Sequence, residues 1–313
     1  MNLENTVVIT NDETEFYNIK EKFALTRYLY CKMDVLASLF MAILEKDYTQ
    51  AIFWAEEIYY SGWKKEVADY LMAIYKECFK RDNPKLGRFL KRRYSDITQD
   101  LTLDHGNIVA TMARNLADPS RKYCIAEFVN CIVINNNTSS NYKESNIYVI
   151  IDIADTNTQN TNISINTVPR HILKTACKYE TRKDMRSFLE YESDDEMGQS
   201  KLHRDNWLYF ASFSPIWAER ISKYHGTAND EDQTIDFANE DDEEEFYEKY
   251  NYEVDEQSLE LQNKIMLTEH TNSNNNNKQM TKHEFIQKYG KDVELNNNIK
   301  IKIRIKKHKQ SLL

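Results

Sequence analysis

Glycine and proline are scarce in this chain, and their scarcity argues against several kinds of protein. Only 6 glycines and 4 prolines occur among the 313 residues. Glycine-rich loops that hold phosphates, and the dense turns of all-β folds, both need more of these residues. Long apolar runs are missing too, since none approaches the roughly 18 residues of a membrane span. We therefore expect a protein with no membrane partner, built from long regular segments.

Cysteine is also infrequent, with 5 residues at irregular spacings. An odd number of cysteines in apolar surroundings predicts reduced, buried thiols instead of a disulfide framework. Cys124 and Cys131 lie on one face of a predicted helix, which fits a core better than a metal site. The histidines occur singly, and no zinc, phosphate-loop or nucleophile motif is present. The sequence therefore predicts no enzyme, no cofactor and no metal site.

Apolar residues recur at three- and four-residue steps in the first third of the chain, which predicts helices. The expected helices cover residues 23–44, 47–62, 64–79, 83–94, 106–116 and 120–134. Asp47 is the expected N-cap of the second helix, Gly62 its end, and Asn83 with Pro84 the start of the fourth. Short polar turns between helices predict antiparallel pairs. The side chains expected between them are Leu36, Trp54, Leu71 and Ile74.

These patterns predict a mainly α fold, with helical hairpins arranged as a bundle or a short α-solenoid, a minor β element and charged low-complexity segments. Shifts in composition divide the chain into five parts. They are a helical-hairpin domain (20–134), a polar insertion with a candidate strand (135–168), a second helical part packing on the first (169–227), an acidic and Asn-rich segment (228–277) and a basic tail with a candidate strand (278–313). The strands are expected at 147–153 and 299–306, where β-branched residues cluster or alternate with cations.

Aromatic residues are concentrated in the second half, most densely at 207–217. Such density predicts packing against the main body, and the alternative is an exposed partner-binding surface. The candidate partner-binding residues are Trp207, Tyr209, Phe213, Trp217, Phe246, Tyr247, Tyr250 and Tyr252.

Charge is distributed in blocks behind a net value of −9. Residues 229–260 hold 15 acidic side chains and 1 lysine, whereas 278–309 hold 10 basic and 3 acidic ones. Blocks of like charge are typically solvated and often bind partners. The basic residues that could contact nucleic-acid phosphates are Lys91, Arg92, Arg93, Lys300, Lys302, Arg304, Lys306 and Lys307.

Five segments together resemble an uncharacterised protein family of giant nucleocytoplasmic DNA viruses, of the mimivirus and phycodnavirus type. They are 28–36 (YLYCKMDVL), 42–48 (AILEKDY), 53–63 (FWAEEIYYSGW), 207–217 (WLYFASFSPIW) and 244–257 (EEFYEKYNYEVDEQ). The abundance of Asn, Ile, Lys and Tyr, which have AT-rich codons, agrees with such an origin. The resemblance implies a viral protein in the host cytoplasm, at the viral factory, or in the virion. It implies no catalytic residue.

The expected function is that of a non-catalytic helical scaffold or adaptor in a viral complex, with viral or host proteins as partners. Translation initiation or transcription is the expected setting, by analogy of architecture. One alternative is a nucleic-acid-associated factor that uses the basic helix end and the tail. The other is a structural virion component.

Overall fold

The computed structural model describes residues 23–125, 169–185, 202–252, 254, 256–265 and 280–290. In these ranges the chain is mainly helical with a small β element, which confirms the predicted fold class. The helices are α1 (Lys32–Glu45), α2 (Tyr48–Tyr60), α3 (Lys64–Ile74), α4 (Leu86–Gln99), α5 (Gly106–Leu116), α6 (Pro169–Ala176), α7 (Trp207–Ala211), α8 (Pro215–Lys223), α9 (Glu240–Tyr250), α10 (Leu259–Ile265) and α11 (Lys282–Tyr289). The antiparallel strands β1 (Thr227–Asn229) and β2 (Thr234–Asp236) pair with Ala228 opposite Ile235.

Helix α2 lies at the centre of the helical layer, packed against α1, α3 and α5. Its side chains are buried on nearly every side, as is typical of a helix inside a core. The buried residues are Ala51, Ile52, Phe53, Trp54, Ala55, Glu56, Glu57, Ile58 and Tyr59. Its start follows the prediction, because an Asp47 carboxylate oxygen accepts a hydrogen bond from the Gln50 amide at 3.0 Å.

The end of α2 is fixed by a glycine that a larger residue could not replace. Gly62 has φ 101°, and a Cβ at this position would lie 2.5 Å from Cβ of Pro215. The close approach lets the Ile216 amide donate to the Ser61 carbonyl at 3.1 Å. The turn that was predicted to end α2 therefore also holds the start of α8.

The first predicted helix begins later than expected. Residues 24–31 form a tight loop, in which the Thr26 amide donates to the Tyr30 carbonyl at 2.8 Å and Leu29 has φ 64°. Leu25 and Leu29 have helical spacing, but both belong to this loop, and their side chains are buried in the core. The helical interpretation of 24–31 was wrong because the side chains of Glu57 in α2 and of Ser61 just after it hydrogen-bond the loop amides and replace the helical hydrogen bonds.

Those side chains form a buried polar cluster around Glu57. One carboxylate oxygen accepts from Nε of Arg27 at 3.0 Å, and the other accepts from the Tyr28 amide at 3.3 Å. Oγ of Ser61 accepts from the Arg27 amide at 2.9 Å. Arg27 and Glu57 are both buried, so each compensates the charge of the other away from water.

Of the helix boundaries further along, one agrees with the prediction and two differ from it. Helix α3 continues through a π-helical turn (Tyr75–Phe79), so its predicted end at 79 is confirmed. Asn83 does not cap α4, because its side chain donates to the carbonyls of Phe79 at 3.1 Å and Lys122 at 2.6 Å. Helix α4 extends to Gln99, past the predicted end at Tyr94.

Several predicted elements fall wholly or partly outside the described residues. Residues 121–125 are not helical, although a helix over 120–134 was predicted, and the rest of that segment is not described. Both candidate strands, at 147–153 and 299–306, also lie outside the described ranges and stay predictions.

A single hydrophobic cluster joins the described segments from Leu25 to Tyr289. Trp54, Leu71 and Ile74 are buried in it as predicted, whereas Leu36 is only partly buried. The Trp54 ring lies edge-on to Tyr30 at 5.1 Å and to Phe53 at 4.8 Å between centroids. This aromatic group is the centre of the helical layer.

Helix α11 docks onto α1 within the stretch predicted to be a basic tail. It opens with a capping box, in which Thr281 and Glu284 exchange side-chain and backbone hydrogen bonds. Phe285 stacks on Phe40 at 6.1 Å between ring centroids. At the other end the Tyr289 hydroxyl donates to Glu45 at 2.6 Å, beside Nζ of Lys288 at 3.2 Å.

Replacing Trp54 tests the buried aromatic group. We expect Trp54→Ala to lower the free energy of unfolding by about 3–5 kcal/mol, because it leaves a large cavity. Trp54→Phe should cost less than Trp54→Ala, since the phenyl ring refills part of the cavity and Nε1 makes no hydrogen bond to the described residues. Chemical denaturation measures both. Equal, small losses would show that Trp54 is not in the core.

Glu45 gives α11 docking a defined pH dependence. Its pKa is lowered: burial opposes ionisation, but hydrogen bonds from Tyr289, Arg182 and Lys288 outweigh it. A lowered folded-state pKa adds stability above the unfolded pKa of about 4.3, and this is lost as pH falls through the folded value. Glu45→Gln should therefore lower Tm at pH 7 more than at pH 3.

The matched control for that comparison is Glu77→Gln, at an exposed position on the π-helical turn. We expect this control to change Tm little at either pH. A Tm difference between wild type and Glu45→Gln that stays constant from pH 7 to pH 3 would contradict the role of the ionised carboxylate.

Candidate interaction surfaces

The aromatic segment 207–217 packs mainly into the core. Trp217 is fully buried, and its Nε1 donates to the Thr26 carbonyl at 3.1 Å. The candidate partner-binding residues that are buried are Tyr209, Trp217, Phe246 and Tyr252. For these four residues, the alternative of an exposed partner surface was wrong, because their rings fill the space between α7, α8 and α9. Those only partly buried against the core are Trp207, Phe213, Tyr247 and Tyr250.

The acidic block is folded, whereas the sequence suggested a low-complexity segment. Helix α9 carries the run at 240–245, and the Asn239 side chain caps it by accepting from the Asp242 amide at 2.9 Å. Carboxylates in the first turn are favoured there by the positive end of the helix dipole. Capping and dipole together explain how so acidic a segment becomes helical.

Phe246 holds α9 against the body of the protein. It is fully buried, with ring centroids of Phe237 at 5.2 Å and Tyr224 at 5.8 Å. Carboxylates around the rest of the helix face solvent. The exposed acidic residues, which we call the acidic surface, are Glu240, Asp241, Glu243, Glu244, Glu245 and Glu248.

The β1–β2 hairpin adds carboxylates near this helix and is itself tied to α7. The Tyr209 hydroxyl donates to Asp230 at 2.9 Å. Burial and this neighbouring carboxylate raise the pKa of Tyr209 to about 12, so the hydroxyl keeps its proton at neutral pH. The turn of the hairpin is thereby fixed to the aromatic segment.

The basic residues predicted on the fourth helix lie on α4. Lys91 and Arg92 are exposed, while Arg93 is partly buried and contacts Asp96 at 3.4 Å. Because α4 extends to Gln99, these cations lie mid-helix, and pairing with the helix C-terminus does not explain them. Lys85 and Arg88 are exposed on the same helical face as Arg92, and the three residues together form a basic stripe. The sequence prediction missed this stripe, although the three- and four-residue spacing of its members indicates it.

The remaining nucleic-acid candidates lie in the tail beyond the described residues. They are Lys300, Lys302, Arg304, Lys306 and Lys307. Their proposed contacts with nucleic acid stay predictions.

Most side chains with potential chemistry serve the core. The four described cysteines (Cys31, Cys78, Cys124 and Cys177) are buried, as predicted, and Cys131 lies outside the described ranges. Burial raises the pKa of the Cys177 thiol well above its ordinary value, which makes the thiolate scarce. His203 is buried, with Nε2 at 2.7 Å from the Phe23 carbonyl.

Lys46 is the clearest case of a perturbed amine among the described residues. Its Nζ lies 4.6 Å from the Phe79 ring centroid and 4.9 Å from that of Tyr123. Burial lowers its pKa to about 8. Nζ is also 3.4 Å from the carbonyl of Leu116 at the end of α5, so the cation serves as a helix-end contact.

The described residues contain no grouping of three or more His, Cys, Asp or Glu side chains that could hold a metal ion. Among those same ranges, no helix combines the length and apolar character required to span a bilayer. Comparison with family models, curated proteins and solved structures gave no match for this chain. Function is therefore inferred from the surfaces of the protein itself.

Proposed function

We propose that this chain is a non-catalytic helical scaffold or adaptor of a giant-virus macromolecular complex. The complex would serve viral gene expression, in translation initiation or transcription, in the host cytoplasm at the viral factory or in the virion. The resemblance of five sequence segments to a giant-virus family supports the viral setting. The burial of the described thiols and of His203 in structural positions is in keeping with a non-catalytic role.

The acidic surface of α9 is the observation that carries this proposal. Its carboxylates are fixed in relative position because Phe246 anchors the helix in an aromatic group. A preordered charged surface loses less conformational entropy on binding than a flexible acidic tail does. It also attracts oppositely charged partners over about 10 Å at ordinary salt concentrations.

The partner that fits this surface is a protein with a lysine- or arginine-rich segment. The exposed carboxylates are contributed by successive helical turns, so they can pair with cations spread over a similar length. Each exposed pair is worth little alone, at about 0–1 kcal/mol, so binding depends on several pairs forming together. The interaction should therefore weaken as salt rises.

Neutralising part of the acidic surface tests the scaffold function. The variant Glu244→Gln/Glu245→Gln/Glu248→Gln removes three exposed charges while keeping side-chain shape. The matched control, Glu77→Gln/Glu180→Gln/Glu260→Gln, removes three exposed charges elsewhere. Tagged chains are purified from infected cells, and co-purifying proteins are quantified by mass spectrometry at two salt concentrations.

We expect the α9 variant to lose basic viral or host proteins that the wild type and the control variant retain. Those proteins should also be lost from the wild type at high salt. Identical partner sets for all three chains would contradict the role of α9. Recovery only within assembled virions would instead support the structural-component alternative.

One observation favours nucleic-acid binding as a second candidate function. Lys85, the residue just before α4, forms an exposed basic stripe with Arg88 and Arg92 on α4, next to Lys91. Such a stripe can neutralise phosphates, and binding would then fall steeply with salt. Binding of duplex DNA or RNA that is lost in Lys91→Gln/Arg92→Gln, but kept in the α9 variant, would favour this candidate over the scaffold.

A further inference from the structure

A cleft opens where the end of α2 and the start of α3 face α8, and its volume is about 720 Å³. Small-molecule sites in proteins commonly enclose about 300–1,000 Å³. The residues of this cleft that matter here are Arg27, Tyr60, Trp63, Lys64, Glu219 and Arg220. The cleft is separate from the acidic surface. Its lining has a net positive charge, because it contains four cationic side chains and two carboxylates.

Two guanidinium groups are held in place by aromatic rings in this cleft. The Arg27 guanidinium carbon lies 4.7 Å from the ring centroid of Tyr60. The Arg220 guanidinium carbon lies 4.5 Å from that of Trp217 and 4.9 Å from that of Tyr250. Stacking occupies the faces of these planar groups and leaves their edges to donate hydrogen bonds.

The two arginines come from different parts of the chain but are close in space. Arg27 belongs to the loop at 24–31, and Arg220 belongs to α8. Both arginines line the same cleft. Burial raises the pKa of the Tyr252 hydroxyl, and that rise is opposed by the positive charge of Arg220, which also hydrogen-bonds this hydroxyl, and by the charge of Arg27.

Their charges are unequally compensated. Arg27 pairs with Glu57 at 3.0 Å. Nη1 of Arg220 is buried and has no hydrogen-bond partner among the described residues. A buried charged donor without an acceptor destabilises a protein, so this atom points to an acceptor that a ligand would supply.

The other charged residues of the cleft leave this acceptor position open. Glu66 contacts Nζ of Lys32 at 2.9 Å. Glu219 is exposed on α8. Lys64 lies at the rim, where Nζ donates to the Leu101 carbonyl at 2.8 Å, and it can also face an incoming anion.

We propose that this cleft binds a phosphate-bearing ligand of nucleotide size. One guanidinium can satisfy a planar carboxylate alone, whereas two guanidinium groups that line one cleft suit a tetrahedral group with several oxygens. Arg220 and Arg27 contact the phosphate oxygens, and Lys64 adds positive charge at the rim. Tyr60 and Trp63 form an aromatic wall for the less polar part of the ligand.

Two probes, ATP and inorganic tripolyphosphate, distinguish a nucleotide from free polyphosphate. Binding is measured by isothermal titration calorimetry on the full chain at fixed ionic strength, without divalent cations. We expect saturable binding of both probes. Tighter binding of ATP identifies a nucleotide ligand, and equal binding identifies the phosphate groups as the feature recognised. Absence of saturable binding for both probes overturns the proposal.

The key variant is Arg220→Gln, which keeps much of the side chain on Trp217. Its matched control is Arg170→Gln on α6, which removes the same charge at an exposed position. We expect Arg220→Gln to weaken binding of tripolyphosphate about tenfold or more, and Arg170→Gln to leave it unchanged. Equal effects of the two variants, or no effect of Arg220→Gln, overturn the proposal.

A second variant covers the case in which Arg220→Gln does not fold, as judged by circular dichroism. Lys64→Gln changes only the rim of the cleft and should weaken tripolyphosphate binding several-fold by removing one nearby charge. Unchanged affinity in this folded variant overturns the proposal.

Discussion

The buried carboxylate of Glu57 is the interaction on which the rest of the structure depends. It accepts hydrogen bonds from Nε of Arg27 and from the Tyr28 amide, and thereby fixes the loop at 24–31 against α2. That loop in turn accepts from Trp217 through the Thr26 carbonyl and donates to the Phe210 carbonyl through the Leu25 amide. One ion pair thus connects the N-terminal helices with the aromatic layer of α7 and α8. Removing one partner of a buried pair typically costs about 3–5 kcal/mol.

The same connection links the core to both functional proposals. Trp217 packs against Phe246 and thereby supports α9, whose outer side is the acidic surface. Arg27 contacts Glu57 and also lines the cleft. A protein can therefore present an ordered acidic surface and a basic cleft from a single core. Opposite charges at separate places suit a scaffold that binds two different kinds of molecule.

Periodicity predicted the helical layer because α2, α3 and α5 bury apolar side chains at regular spacing. The ends of α2 were predictable because Asp47 caps its start and Gly62 adopts the positive φ of the turn that follows it. It failed at 24–31, where partners distant in sequence satisfy the loop amides. The acidic run at 240–245 was wrongly predicted to be a low-complexity segment. It is helical because an N-cap and one buried aromatic residue outweigh repulsion between the carboxylates. Of the candidate site, the basic residues of α4 were partly predictable. The cleft was not, since Arg27 and Arg220 meet only in the folded chain.

Hydrogen exchange in Glu57→Gln tests most directly whether this buried carboxylate couples the two parts. The amides of α2 and α8 are compared between this variant, wild type and the exposed control Glu77→Gln. Loss of the charge weakens the contact between this side chain and Arg27, so we expect both helices to lose protection by a similar free energy, with the control unchanged. Faster exchange in α2 alone, with α8 as protected as in wild type, would contradict a single core organised around Glu57.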